Sequence, residues 1–158
     1  MFRRGLWSFF GLLGVLAVAA AAYRGPVFRQ EGFRFEAILS AAAADLDGDG
    51  RDELILAGRN YLDREALVEV LEWEDGEFTP EWRSPNLLEP ESSLLAIPIR
   101  LADGPALAVL TRTRLRIFRH TEEGYRETAG CAMPFPVEEG AGADLDGDGK
   151  DEIVLSAT

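Results

Sequence analysis

Residues 45–57 read DLDGDGRDELILA, an acidic loop that runs directly into an apolar segment. The same pattern returns at residues 144–155 as DLDGDGKDEIVL. When residues 44–56 are aligned with residues 143–155, ten of 13 positions are identical and the other three are conservative. Carboxylates at alternate positions, with glycines between and after them, supply oxygen ligands to a hard cation such as calcium. The repeated stretch therefore predicts two calcium-binding loops.

Each loop offers oxygen ligands at positions 1, 3, 5, 7 and 9, counted from its first aspartate. Position 7 contributes a backbone carbonyl, and the glycine at position 6 permits the sharp turn that folds the oxygens around one point. The aspartates at position 8, Asp52 and Asp151, remain open as further ligands or as outer partners. The predicted ligands are Asp45, Asp47, Asp49, the Arg51 carbonyl and Glu53 in the first loop, and Asp144, Asp146, Asp148, the Lys150 carbonyl and Glu152 in the second.

The first five positions of each loop also fit an EF-hand. That motif requires a bidentate glutamate at position 12 and a helix on each side. Position 12 is Leu56 in the first loop and Leu155 in the second, each inside an apolar run typical of a strand. This excludes an EF-hand, and a dockerin-type loop for the same reason.

A degenerate third copy lies between the two loops. Asp103-Gly104 matches the Asp-Gly pairs at residues 49–50 and 148–149, and an apolar strand follows it as in the other copies. In this alignment Ile99 and Leu101 replace the first two ligands, so the middle copy retains the turn and the strand without the acidic ligands.

Outside the N-terminal segment the chain shows no sustained 3.6-residue apolar period, whereas turn residues recur about every ten positions. An all-β fold is therefore predicted. The sequence gives hairpin turns at Asp75-Gly76 and Glu123-Gly124. The predicted strands cover residues 33–36, 54–57, 67–73, 94–101, 106–110 and 114–119.

The two loops resemble the FG-GAP or VCBS-type repeat, which forms β-propeller blades in integrin α-subunits and in exported bacterial proteins. That family carries an Asp-x-Asp-x-Asp-Gly-x-x-(Asp/Glu) loop between two strands of a blade. The resemblance is strong over the two loops and weak over residues 33–158, and the Phe-Gly and Gly-Ala-Pro segments that name the family are missing. It implies calcium in both loops and says little about function. The calcium is expected to be structural rather than catalytic, because the residues near the loops offer no nucleophile or general base.

Applied to residues 23–158, the resemblance predicts a partial β-propeller-like array of two to three four-stranded blades. A propeller closes with four to eight blades. Three arrangements therefore remain open: an open stack in which a strand around Phe33 completes the last blade, closure by self-association, or a shortened relative of a longer propeller.

Residues 1–22 are predicted to be a signal peptide or an N-terminal membrane anchor. Arg3 and Arg4 precede an apolar run over residues 6–22 that ends in small residues suited to cleavage before Tyr23. The expected location is therefore secreted or extracytoplasmic, with membrane contact only through residues 1–22 if they are retained.

The net charge of −12 argues against nucleic acid and anionic lipid as partners, because both would be repelled. Two calcium ions would neutralise four of these charges. Cys131 is the only cysteine, so an intrachain disulfide is excluded, and it is expected to be a small buried residue.

The leading functional hypothesis is an exported calcium-binding module that recognises a protein or glycan ligand in adhesion or envelope assembly, and that is not an enzyme. The alternatives are an accessory carbohydrate-active or hydrolytic protein that uses the arginines between Arg112 and Arg119, and a membrane-anchored scaffold. His120 is expected on the surface, and Tyr61, Trp73 and Trp82 are expected to fill space between blades rather than to stack on sugars.

Overall fold

The computed structural model describes residues 35–87 and 94–157. The predicted leader at residues 1–22 and the predicted strand start at residues 33–34 lie outside these ranges. Within them, no helix is long and apolar enough to span a membrane.

The described chain is all-β, as predicted, and consists of ten strands in three antiparallel sheets with no helix in these ranges. Two sheets have four strands, the third has two, and none of them closes on itself. The first sheet contains β1 (Ala37–Ala44), β2 (Glu53–Asn60), β3 (Glu65–Glu74) and β4 (Glu77–Arg83); the second contains β5 (Leu94–Leu101), β6 (Gly104–Thr111), β7 (Arg114–Thr121) and β8 (Gly124–Ala132); the third contains β9 (Val137–Ala143) and β10 (Glu152–Ala157).

The β3–β4 hairpin confirms the turn predicted from Asp75-Gly76. Both residues have positive φ, 49° and 93°, as a two-residue type I′ turn requires, and Glu74 pairs with Glu77 across it. The turn after β7 is equally short, because Thr121 pairs with Gly124.

The predicted alignment of the middle copy is wrong at its turn. Leu101 pairs with Gly104, so only residues 102–103 connect β5 to β6, whereas residues 45–52 connect β1 to β2. Ile99 and Leu101 therefore lie within β5 and do not occupy loop positions. The middle copy lacks most of the loop, instead of carrying a loop with substituted ligands.

The second sheet packs between the other two. Leu107 and Val109 of β6 belong to a core shared with the first sheet, where they join Ile55 and Val68. Ala106 and Ala108 belong to a separate cluster against which Ile153 of the third sheet packs. Alternate residues of one strand point to opposite faces, which explains how β6 serves both interfaces.

Aromatic residues join the first two sheets. Trp82 of β4 lies 5.2 Å, between ring centroids, from both Phe118 of β7 and Tyr125 of β8. Trp73 packs against Phe78 within its own hairpin and is 39% exposed. Of the three aromatics expected between sheets, Trp82 meets that expectation, whereas Tyr61 is 60% exposed in a turn.

Two further expectations are corrected by the fold. Cys131 is exposed, because it lies on β8, the outer strand of the second sheet. Residues 35–36 precede the first strand, which begins at Ala37, although Phe35 is buried against the backbone of Gly58.

Candidate metal centre

The two acidic loops occupy equivalent hairpins. The first connects β1 to β2 and the second connects β9 to β10. Each is closed by an alanine–glutamate pair, Ala44 with Glu53 and Ala143 with Glu152. Both hairpins are antiparallel and hold eight residues between the paired ends, so the near-identical sequences fold in the same way.

Hydrogen bonds from backbone N–H groups to the aspartate carboxylates shape the first loop. The two carboxylate oxygens of Asp45 accept from the backbone N–H groups of Gly48 and Gly50, at 2.7 and 3.1 Å. Asp47 accepts from the N–H of Asp49 at 2.9 Å, and Asp49 accepts from that of Arg51 at 2.8 Å. Each carboxylate is thereby held toward the inside of the turn.

The second loop has the same set of hydrogen bonds. Asp144 accepts from the N–H groups of Gly147 and Gly149, at 2.7 and 2.9 Å. Asp146 accepts from the N–H of Asp148 at 3.0 Å, and Asp148 accepts from that of Lys150 at 2.9 Å. The glycines that donate to the first aspartates have φ between 79° and 89°, a region that favours glycine.

These hydrogen bonds bring the carboxylates of each loop together. One oxygen each from Asp45, Asp47, Asp49 and Glu53 lies within 4.8 Å of all the others. Asp144, Asp146 and Asp148 form the corresponding group in the second loop. All these donors are hard oxygens, which suits calcium.

The remaining predicted ligands differ in placement. Glu53 and Glu152 each accept a hydrogen bond from the second residue of their loop, Leu46 N–H at 2.7 Å and Leu145 N–H at 2.9 Å. Glu53 also belongs to its carboxylate group, whereas Glu152 does not. The two backbone carbonyls predicted as ligands, of Arg51 and Lys150, lie in the same turns.

A basic side chain approaches the third aspartate of each loop. Arg51 donates to Asp49 at 2.8–2.9 Å and to Glu72 of β3 at 2.9 Å, and Lys150 pairs with Asp148. The pKa of Asp49 is lowered, first by the backbone hydrogen bond from Arg51 and then by its side chain. The pKa of Asp148 is lowered, first by the Lys150 side chain.

The glutamate of the first loop is buried, whereas Asp47 and Asp49 are exposed. Glu53 is only 3% exposed, and burial raises its pKa to about 7, with Asp47, Glu81 and Asp45 adding to the rise against the hydrogen bond from Leu46. A carboxylate in such a place is costly to ionise without a cation nearby.

Glu81 of β4 was not predicted as part of this site. Burial raises its pKa, while His120, whose Nε2 lies 3.4 Å from the Glu81 carboxylate, lowers it. His120 is thus half-buried between the sheets rather than on the surface, and it packs on Tyr125. No sequence motif marks Glu81, because the β3–β4 hairpin and the packing of the sheets bring it there.

The two loops differ in the burial of their apolar residues and of their glutamates. Leu46 is 3% exposed and Ile55 is fully buried, but their counterparts Leu145 and Val154 are 65% and 49% exposed. Glu152 is exposed as well. The same sequence therefore has two environments, because Leu46 and Ile55 lie in the core between the first two sheets and Leu145 and Val154 lie outside it.

The aspartates at position 8 have separate roles. Asp151 accepts from the Arg100 N–H at 2.6 Å, and its own N–H donates to the Arg100 carbonyl at 2.8 Å. This pair attaches the second loop to β5. Asp52, at the same position of the first loop, makes no such contact within residues 35–87 and 94–157.

A cleft of about 550 Å³ lies between the two loops and the short β5–β6 hairpin.

Three of the four arginines of the alternative hypothesis, Arg112, Arg116 and Arg119, are close to acidic residues. Arg112 lies in the turn before β7, 3.7 Å from Glu138, so it does not share a strand face with the others. Arg116 lies 4.0 Å from Glu127, and Arg119 pairs with Asp103. These contacts fit a balanced surface better than a site for an anionic ligand.

Neither a protein-family model nor a curated protein sequence matches this chain. The interpretation of the two loops consequently depends on their own geometry.

Proposed function

We propose that the protein is an exported repeat module of the FG-GAP or VCBS type, whose sheets are blades of a partial β-propeller and whose two acidic loops bind calcium. The calcium is structural, and the module acts by binding a protein or glycan ligand. One observation carries the proposal. In each loop, hydrogen bonds from backbone N–H groups to the aspartates accompany a group of three or four carboxylates whose oxygens lie within 4.8 Å of one another.

Like charges held this close repel, and a divalent cation removes the repulsion while using the same oxygens. The cation would tie β1 to β2 and β9 to β10 at the ends of their hairpins. A structural role fits this position, because the loops join neighbouring strands and the first of them contacts the core.

The blade interpretation has its own support. The order of strands within each four-stranded sheet follows the chain, and the first strands of successive sheets, β1, β5 and β9, are neighbours. This meander with its first strands side by side is the arrangement of propeller blades. The export proposal depends on residues 1–22 alone, and N-terminal sequencing of the exported protein tests whether they are removed.

A thermal melt of the full chain, with calcium and with a chelator, tests the calcium proposal. Calcium at about 100 times its dissociation constant adds about 2.7 kcal/mol to the stability at each site. The double variant Asp47→Ala with Asp146→Ala is expected to lose this shift. A matched double variant, Glu122→Ala with Glu139→Ala, removes the same charge from exposed positions outside the loops and should keep it. Identical melts with calcium and chelator would overturn the proposal.

A further inference from the structure

Asp151, at position 8 of the second loop, holds both backbone polar groups of one residue in the second sheet. Its carboxylate accepts a hydrogen bond from the Arg100 N–H, and its own N–H donates to the Arg100 carbonyl. These groups of Arg100 point away from β6, where its partner Pro105 has no N–H to offer. The Asp151 carboxylate does not belong to the group of three aspartates in its loop. It therefore connects the loop to β5 from outside the proposed calcium site.

The third sheet lies closely on β5. A Cβ atom added at Gly142 would lie 2.7 Å from the Ile99 side chain, and one added at Gly140 would lie 3.1 Å from Ile97. Ile153 of β10 packs on the apolar cluster that contains Ile99. The backbone of β9 is thus in direct contact with side chains of the second sheet, and detachment of the third sheet would separate these surfaces.

Polar contacts hold the third sheet at both ends of its hairpin. Val137 pairs with Ala157 at one end, and there the Val137 N–H donates to the Arg112 carbonyl at 3.0 Å. At the other end, where β10 begins, the contact is the one between Asp151 and Arg100. Because Asp151 is part of the acidic loop, this second attachment depends on the conformation of that loop.

We propose that Asp151 couples calcium binding in the second loop to the attachment of the third sheet on the second. This inference rests on the proposed function, because it requires calcium at the three aspartates of that loop. In chelator these carboxylates repel one another, so the loop more often leaves the conformation in which Asp151 reaches Arg100. The first loop lacks this coupling, since Asp52 makes no such contact in the two described ranges.

A coupling of this kind acts in both directions. Attachment through Asp151 restricts the second loop to the conformation that binds the cation, so it also raises the affinity of the loop for calcium. Loss of a partner that orients metal ligands from outside the site commonly weakens metal binding by roughly 10- to 100-fold. Asp151 is therefore a positioning residue, and its effect should be measurable both as sheet attachment and as calcium affinity.

Hydrogen exchange of the Arg100 amide, followed by NMR in the full chain, measures the attachment from the side of the second sheet. Calcium at about 100 times its dissociation constant is expected to slow this exchange by roughly tenfold or more relative to chelator. Asp146→Ala removes a ligand of the second loop and is expected to abolish the slowing. Asp47→Ala is the matched control, because it removes the same charge from the first loop and should preserve the slowing.

Calorimetric calcium titration measures the reverse effect. In an Asp47→Ala background, which leaves the second loop intact, Asp151→Ala is expected to weaken calcium binding by roughly tenfold or more. Asp151→Asn keeps an oxygen that can accept from the Arg100 N–H, so it should bind calcium more tightly than Asp151→Ala. The matched control is Asp52→Ala in an Asp146→Ala background, which removes the position-8 carboxylate of the first loop and should change the affinity of that loop much less.

The outcomes separate this inference from the proposed function. Absence of calcium binding at both loops would overturn the two together. Calcium binding at the second loop, with equal exchange of the Arg100 amide in calcium and in chelator, would overturn the inference alone. Equal effects of Asp151→Ala and Asp52→Ala on their respective loops would also overturn it. If Asp151→Ala folds poorly, the comparison of Asp146→Ala with Asp47→Ala still decides.

Discussion

Glu53 and Glu152 occupy the same position of two nearly identical loops, and they differ in how deeply they are buried. Glu53 is 3% exposed and has a pKa of about 7, because burial penalises its charge and Asp47 and Glu81 lie near it. Glu152 is exposed to solvent on the third sheet. The motif predicts a glutamate in each loop, and packing against the core decides which one is buried.

A pH dependence of stability follows for the calcium-free protein. The folded chain holds the Glu53 proton up to about pH 7, whereas the unfolded chain releases it near the ordinary value of 4.5. The folded state therefore binds more protons between these values, and the Glu53 contribution to stability, complete below about 4.5, is lost as the pH rises through about 7.

Urea unfolding in chelator between pH 4 and pH 8 measures this effect. Glu53→Gln is expected to remove the decline and to be more stable than the parent at pH 8, because the amide carries no charge to bury. Glu152→Gln is the control and should follow the parent. A parent and Glu53→Gln protein with parallel pH profiles would show that Glu53 ionises normally.

The grouping of the aspartates could be predicted from the sequence because it is local. Asp45, Asp47 and Asp49 are spaced along one turn, and glycines alone set the backbone that gathers them. Glu81 and its partner His120 could not be predicted in the same way, because the packing of β4 against the second sheet brings them together and places Glu81 near Glu53.

At the scale of single elements, the two hairpins show how much a strand depends on its neighbours. The apolar run after each loop was predicted as a strand, and in β2 Ile55 and Ala57 are fully buried. β10 has the same sequence character and keeps Val154 half-exposed. The sequence predicts the strand itself, but burial depends on a second sheet that a local pattern does not contain.

Leu46 and Leu145 form a matched pair for this argument. Leu46→Ala removes a side chain that is 3% exposed and part of the core between the first two sheets, so it is expected to cost about 2–4 kcal/mol of stability. Leu145→Ala alters a side chain that is 65% exposed and should change stability by less than about 0.5 kcal/mol.

Urea unfolding of both variants at the same calcium concentration provides the comparison. Leu46 and Leu145 occupy the same position of nearly identical loops, so the effect of alanine on the loop backbone is expected to be the same in both variants. Equal losses in the two variants would mean that Leu46 does not contribute through the core.

At the scale of the whole molecule, the sequence predicts the number of sheets better than it predicts the turns within them. Two to three blades were predicted from three Asp-Gly turns, and residues 35–87 and 94–157 form three sheets, of which the third has two strands. The middle hairpin was predicted with a degenerate loop, and it has a two-residue turn instead. An Asp-Gly pair is compatible with a two-residue turn and with a longer loop. The pairing of β5 with β6 shows that the connection has two residues.

The net charge of −12 makes the whole molecule sensitive to ionic strength. Acidic side chains are concentrated at the two loops, where three or four carboxylates lie within 4.8 Å of one another. Added salt shortens the Debye length from about 30 Å at 0.01 M to about 8 Å at 0.15 M and screens repulsion between exposed charges. Bound calcium would remove much of the same repulsion directly.

The two effects should therefore substitute for one another. In chelator, raising sodium chloride from about 0.01 to about 0.15 M is expected to raise the melting temperature, because screening relieves the carboxylate groups. With saturating calcium, the same salt step is expected to give a clearly smaller rise. The Asp47→Ala with Asp146→Ala variant should show an intermediate salt response in chelator that calcium leaves unchanged, since it has lost one carboxylate from each loop. Equal salt responses in the parent protein with and without calcium would show that the loops are not the main source of its charge repulsion.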